Sequence, residues 1–187
     1  VVVYAGKTSS SKGGLILANA FKESFNANKR IVLLLVTNFE SSDYGNQVKE
    51  IINQSCNRVI LFSTQNYRDL GKFYQAADIA VFPKQCSLSF YDVQACGLPV
   101  LFEDNDVNIT RTQYKSAVTF SSDSTDDFRD KIVQIAEMKA EDFLSMRKAA
   151  IDCITENYNY TYIAKQYTDV LMSEMKRQNG EGKNVVF

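Results

Sequence analysis

Two lysines five residues apart, a pair of serines and one aspartate are the residues of this chain whose types and spacing could do chemistry. Lys7 and Lys12 lie in GKTSSSKGG, a polar, glycine-bearing stretch from Gly6 to Gly14. Two ammonium groups on one loop suit a pair of phosphates, and a lysine–phosphate contact near a surface contributes about 1–3 kcal/mol. Ser87 and Ser89 open a segment of helical pattern that Gly97 and Pro99 close. The start of such a helix presents backbone N–H groups that have no partner within it, and these favour an anion. Asp92 follows Ser89 by one turn, and a carboxylate there suits ribose hydroxyls. Each residue also has a plainer reading. The lysines could be solvated, the serines helix caps, and Asp92 a partner of the helix dipole. The difference rests on whether the fold brings them together.

Several chemistries are excluded at the outset. The 187 residues contain no histidine, which removes the Ser-His-Asp arrangement, the usual general base and most zinc ligand sets. Any catalysis has to use carboxylates, cations and positioning, or borrow a group from another polypeptide segment. GKTSSSKGG is not a phosphate-binding P-loop, because Lys12 precedes Gly13 instead of following a glycine ahead of Ser or Thr. It also lacks the GxGxxG of a nicotinamide or flavin site. A net charge of −1 gives no sign of a nucleic-acid groove or a polybasic membrane anchor. No apolar run approaches a transmembrane length, and no signal peptide opens the chain. Cys56, Cys86, Cys96 and Cys153 are scattered without CxxC spacing. Three of them stand in apolar or helical contexts, so buried free thiols in a reducing cytoplasm are expected, with no metal site.

The elements that must position the site come next. Val1–Ala5, Ile31–Val36, Arg58–Phe62, Ile79–Phe82, Leu98–Phe102 and Ala117–Phe120 read as strands, and the second and fourth are uninterrupted apolar runs suited to a sheet covered on both faces. Between them, Leu15, Ala18, Phe21, Lys22 and Phe25 nearly follow a helical period. Asp43–Cys56 suits a helix with Val48, Ile51 and Ile52 inward, and Asn66–Ala77 one with Leu70, Phe73, Tyr74 and Ala77. Ser87–Cys96 carries Leu88, Tyr91 and Ala95 on one side. Glu103–Arg111 reads as a polar loop. Ser124 with Asp127 resembles a capping box ahead of Phe128, Ile132 and Ile135. Two further helices, Ala140–Glu156 and Tyr160–Lys176, have no strand between them, and the tail from Gln178 reads as polar and frayed. Alternating strands and helices predict an α/β fold, a doubly wound parallel sheet over residues 1–187 with extra C-terminal helices at roughly 140–177. In the order 3-2-1-4-5-6 the ligand crevice lies between the first and fourth strands. The loops that follow those strands are Gly6–Gly14 and Pro83–Ser89. Phe62, Ser63 and Thr64, at the end of the third strand, would border a base.

Taken together, strand–GK-x4-KG, AADIAVFP (76–83) and S-x-S-x-x-D-V-Q-ACGLPV (87–100) resemble the C-terminal half of a GT-B glycosyltransferase of family 4. The resemblance spans Val1 to about Ile135. It implies a Rossmann-like domain that binds a nucleotide-diphosphate sugar of UDP or GDP type and transfers the sugar with retention, without a metal or other cofactor. It places the family's arginine at Lys7 and its lysine at Lys12, both on the donor diphosphate and both catalytic through charge stabilisation. Gly6 and the backbone of Ser87, Leu88 and Ser89 would complete the phosphate site, and Asp92 would take the ribose. The first carboxylate of the family's E-x7-E pattern falls on Lys84. A sugar or glycolipid acceptor would sit on an N-terminal domain that the strand count does not supply, so the isolated chain is expected to be inactive in transfer. The family also implies a cytoplasmic setting, at the inner membrane face in the full-length protein, and polysaccharide biosynthesis. Two other readings remain: a degenerate nucleotide-binding or assembly module, and half of a sugar-nucleotide 2-epimerase, against which the lack of histidine counts.

Overall fold

A computed structural model describes residues 1–84 and 87–181. Six strands form one parallel sheet: β1 (Val2–Ala5), β2 (Val32–Val36), β3 (Arg58–Phe62), β4 (Ile79–Phe82), β5 (Val100–Glu103) and β6 (Ala117–Phe120). Their order is β3-β2-β1-β4-β5-β6, so chain direction across the sheet reverses between β1 and β4. Val2 stands beside Leu33 on one side and Ile79 on the other.

Strand alternation gives the sheet two apolar faces. Val2, Tyr4, Leu33 and Leu35 point to a core shared with α1 (Gly14–Lys22), α2 (Asp43–Asn53) and α6 (Thr125–Ala136), where Phe21, Phe128 and Ile132 are fully buried. Val3, Leu34, Ala80 and Phe102 point to the opposite core, shared with α3 (Leu70–Gln75) and α4 (Ser89–Ala95). Burial of each large side chain contributes about 1.5–3 kcal/mol. That explains why these runs, lacking polar residues, form central strands. A short helix α5 (Asp106–Thr112) precedes β6, and α7 (Ala140–Asn157) packs back on α4. A Cβ on Gly97, just past the end of α4, would lie 3.2 Å from Ile151 Cδ1 on α7. The last helix, α8 (Tyr160–Glu181), leaves nearly all its described side chains exposed. No helix among the described residues is long and apolar enough to cross a membrane.

The structure corrects several local expectations. The polar stretch Glu103–Arg111 contains α5, because the Asn105 side chain accepts from Asn108 N–H at 3.0 Å and caps it. The third helical segment is a 3₁₀ turn (Tyr67–Asp69) followed by α3. In α4 the buried positions are Phe90, Val93 and Gln94, whereas Leu88 and Ala95 are exposed and Tyr91 half-buried. Helix α8 continues past Gln178 to Glu181, and residues 182–187 lie outside the described residues. Among the cysteines, Cys153 is buried, Cys96 half-buried and Cys56 exposed; Cys86 lies outside the described residues.

The start of α6 is held by a variant of the expected capping box. Ser124 Oγ accepts from Asp127 N–H at 3.2 Å, as expected, but the Asp127 carboxylate accepts from Ser121 N–H at 2.6 Å and Ser121 Oγ at 2.8 Å. These bonds from Ser121, the backbone one first, hold the Asp127 carboxyl below its ordinary value. A lowered carboxyl pKa gives stability that is present above the unfolded value of about 3.9 and is lost as pH falls through the folded value. Asp127→Asn is therefore expected to lower stability by about 0.5–1 kcal/mol at pH 7, a figure reduced for exposure. The two proteins should converge in urea titrations below pH 3.

Candidate functional site

The strand β1 ends at Ala5, and Gly6 N–H donates to Val36 O at 3.1 Å, tying the start of the lysine loop to β2. The Tyr4 hydroxyl donates to the carbonyl of Lys7. Burial, with Tyr44 adding, pushes the Tyr4 phenol well above its ordinary value, so it stays a donor at neutral pH. Ser10–Lys12 then form a 3₁₀ turn, and Gly14 N–H returns to Ser9 O at 3.1 Å. Gly13 sits at φ +72°, where a side chain is strained, and a Cβ there would lie 2.8 Å from Pro83 Cβ. The loop after β1 is thus seated directly against the loop after β4, as the strand order requires. The first turn of α1 is met by Tyr44, whose hydroxyl accepts from Leu15 N–H at 2.9 Å. The Thr8 hydroxyl, fully buried, has no hydrogen-bond partner among the described residues.

Gly6, Lys7, Lys12, Ser87 and Ser89 line one cavity of about 360 Å³ at the carboxyl ends of the strands, together with Val36, Thr64, Gln65 and Leu70. Ser87 and Ser89 hold each other hydroxyl to hydroxyl. The Leu88 side chain is 78% exposed and does not line this cavity. Thr64 does, but Phe62 and Ser63 do not: Phe62 packs edge-on against Phe73 of α3, with ring centroids 5.0 Å apart, and Ser63 is exposed. Gln65, Leu70 and Val36 carry no functional signature in the sequence, and only the assembled fold places them here.

Asp92 lines a neighbouring cavity of about 280 Å³ together with Tyr67, Tyr74 and Cys96. Leu70 borders both spaces. Burial, with Asp92 and Cys96 adding, pushes the Tyr74 phenol up to about 12. Lys84 is ion-paired to Asp123 at 2.9 Å, and that bond raises its pKa. Among the described residues no group of three or more His, Cys, Asp or Glu side chains is placed to hold a metal ion. A cavity of about 340 Å³ lies at the other end of the sheet, lined by Ile31, Ile79, Ile135 and Phe143. It is away from the crevice where open α/β sheets bind ligands.

A profile of the family described as "Glycosyl transferases group 1" matches residues 1–138. The chain belongs to that family. No curated protein sequence matches it, but solved structures share its fold, which is that of GT-B glycosyltransferases. Anabaena Alr3699/HepE in complex with UDP superposes with a TM-score of 0.79 at 17% identity, over 92% of this chain and 48% of that one. Sucrose-phosphate synthase from Thermosynechococcus elongatus gives 0.69 at 20% identity, over 97% and 46%. The catalytic domain of cholesterol-alpha-glucosyltransferase from Helicobacter pylori gives 0.64 at 17% identity, over 82% and 96%. This glycosyltransferase domain spans about half the length of the first two.

Proposed function

We propose that the chain is the donor-binding part of a retaining glycosyltransferase and holds a nucleoside-diphosphate sugar of UDP or GDP type. The observation that carries this reading is that Gly6, Lys7, Lys12, Ser87 and Ser89 line one cavity at the point where the strand order reverses. Two ammonium groups there supply countercharge for a diphosphate without a metal. The serine hydroxyls and the backbone from Ser87 through Leu88 to Ser89 donate to its oxygens. As the bond to the sugar breaks, charge grows on the departing phosphate, and fixed cations at that place lower the barrier because they need no reorganisation. Asp92 takes the ribose.

A sugar or glycolipid acceptor is held by an N-terminal domain, in a cytoplasmic setting at a membrane face and in service of polysaccharide assembly. The exposed apolar row of α8, with Tyr160 at 83%, Tyr167 at 70%, Leu171 at 63% and Met175 at 58% exposure, is the surface offered to that domain. Lys84 bound to Asp123, in place of a carboxylate facing the sugar, favours a second reading in which the fold is kept as a binding module without transfer.

Calorimetric titration with UDP, GDP, ADP and UMP tests the first reading. Saturable binding of a diphosphate, weakened about tenfold or more on loss of the β-phosphate, is expected. Failure of every nucleoside diphosphate to bind would sink it.

A further inference from the structure

Tyr67 stands on a 3₁₀ turn before α3, 71% exposed, and its hydroxyl donates to Asp92 Oδ1 on α4 at 2.6 Å. That length belongs to a hydroxyl bound to a charged carboxylate. An exposed tyrosine has water available for its hydroxyl, so a short bond across 25 residues of sequence indicates a preferred geometry. The bond also raises the Tyr67 pKa, and the phenol stays protonated at neutral pH.

We propose that Tyr67 and Asp92 act as one unit that reads the ribose diol of the donor nucleotide. The inference rests on the donor-site reading above and adds Tyr67 to it. Ser89 and Asp92 are three residues apart on α4, so their side chains share one face about 5–6 Å apart. With phosphates at Ser89, the sugar next to them falls at Asp92, beyond the Leu70 wall that both cavities share. A vicinal diol brings two O–H donors. With Oδ1 engaged by Tyr67, the Asp92 Oδ2 accepts one of them. The phenol donates its O–H to Asp92 in a hydrogen bond, and its oxygen keeps lone pairs to accept from the other. The Tyr67 bond further stops the carboxylate from rotating, so less freedom is lost when ribose binds.

The test compares UDP with 2′,3′-dideoxy-UDP on the wild-type chain and on Tyr67→Phe, by calorimetry. The wild type should prefer UDP by about tenfold or more. In Tyr67→Phe the affinity for UDP should fall several-fold and that for the dideoxy nucleotide stay the same, so the preference shrinks. Loss of an exposed hydroxyl leaves the core intact, and Asp92→Asn should shrink the same preference. A preference unchanged in Tyr67→Phe, or tighter UDP binding because the phenol had been blocking the carboxylate, overturns the proposal and leaves the donor-site reading standing. A wild type that binds neither nucleotide overturns both.

Discussion

Gly14→Ala is expected to destabilise the chain by about 3 kcal/mol, although helix propensity alone predicts a gain. Alanine is favoured over glycine inside a helix by about 1 kcal/mol, and Gly14 is the first residue of α1. A Cβ at this position would stand 2.2 Å from the Thr8 carbonyl oxygen and 2.8 Å from its carbonyl carbon. Both are backbone atoms, so no side chain can swing aside, and the whole turn between Thr8 and Gly14 would have to move. That turn carries Lys12, and diphosphate binding should weaken along with stability. Gly71→Ala is the matched control: the glycine lies in α3, and a Cβ there meets nothing within 4 Å. It should raise stability by about 0.5–1 kcal/mol. Urea denaturation of the two variants decides the matter, and a stable Gly14→Ala would mean that the loop is not seated as described.

The contrast shows which parts of the molecule the residues announce. Apolar runs such as Ile31–Val36 have a single solution, a strand buried on both faces, and the reversal between β1 and β4 follows from how parallel strands connect. The meeting of the lysine loop with the serine segment was legible for that reason. The inward face of α4 was not. Gln94 is polar, yet it is fully buried. Its amide donates to Leu98 O at 2.8 Å and accepts from Ser116 Oγ at 2.5 Å. Satisfied in this way, a buried amide is tolerated and turns the helix away from the face that Leu88, Tyr91 and Ala95 suggested. Helix α5 is not signalled by its residues, because Asn and Thr are poor helix formers and one side-chain cap decides the balance. The bond between Tyr67 and Asp92 leaves no trace in spacing, since it depends on how two separate helices sit on one sheet face.

Replacement of both loop lysines should have the largest effect on ligand binding. Each charge-assisted contact to a phosphate contributes about 1–3 kcal/mol, or roughly 5–150-fold in affinity. Lys12 is half-buried and Lys7 exposed, and charges held away from water are screened less by salt. Lys12→Ala should therefore weaken UDP binding more than Lys7→Ala, and Lys7→Ala should show the greater sensitivity to ionic strength. Both cations face one diphosphate, so the double variant should lose less than the sum of the singles, by about 0.5 kcal/mol or more. Lys7→Arg should hold or tighten binding, because a guanidinium can meet two phosphate oxygens at once. Lys29 lies in a separate cavity at the other end of the sheet, with Ile31 and Arg58, and Lys29→Ala should change nothing. If Lys29→Ala weakens UDP as much as Lys12→Ala, the attraction is that of a general positive field, and the loop is not the phosphate site.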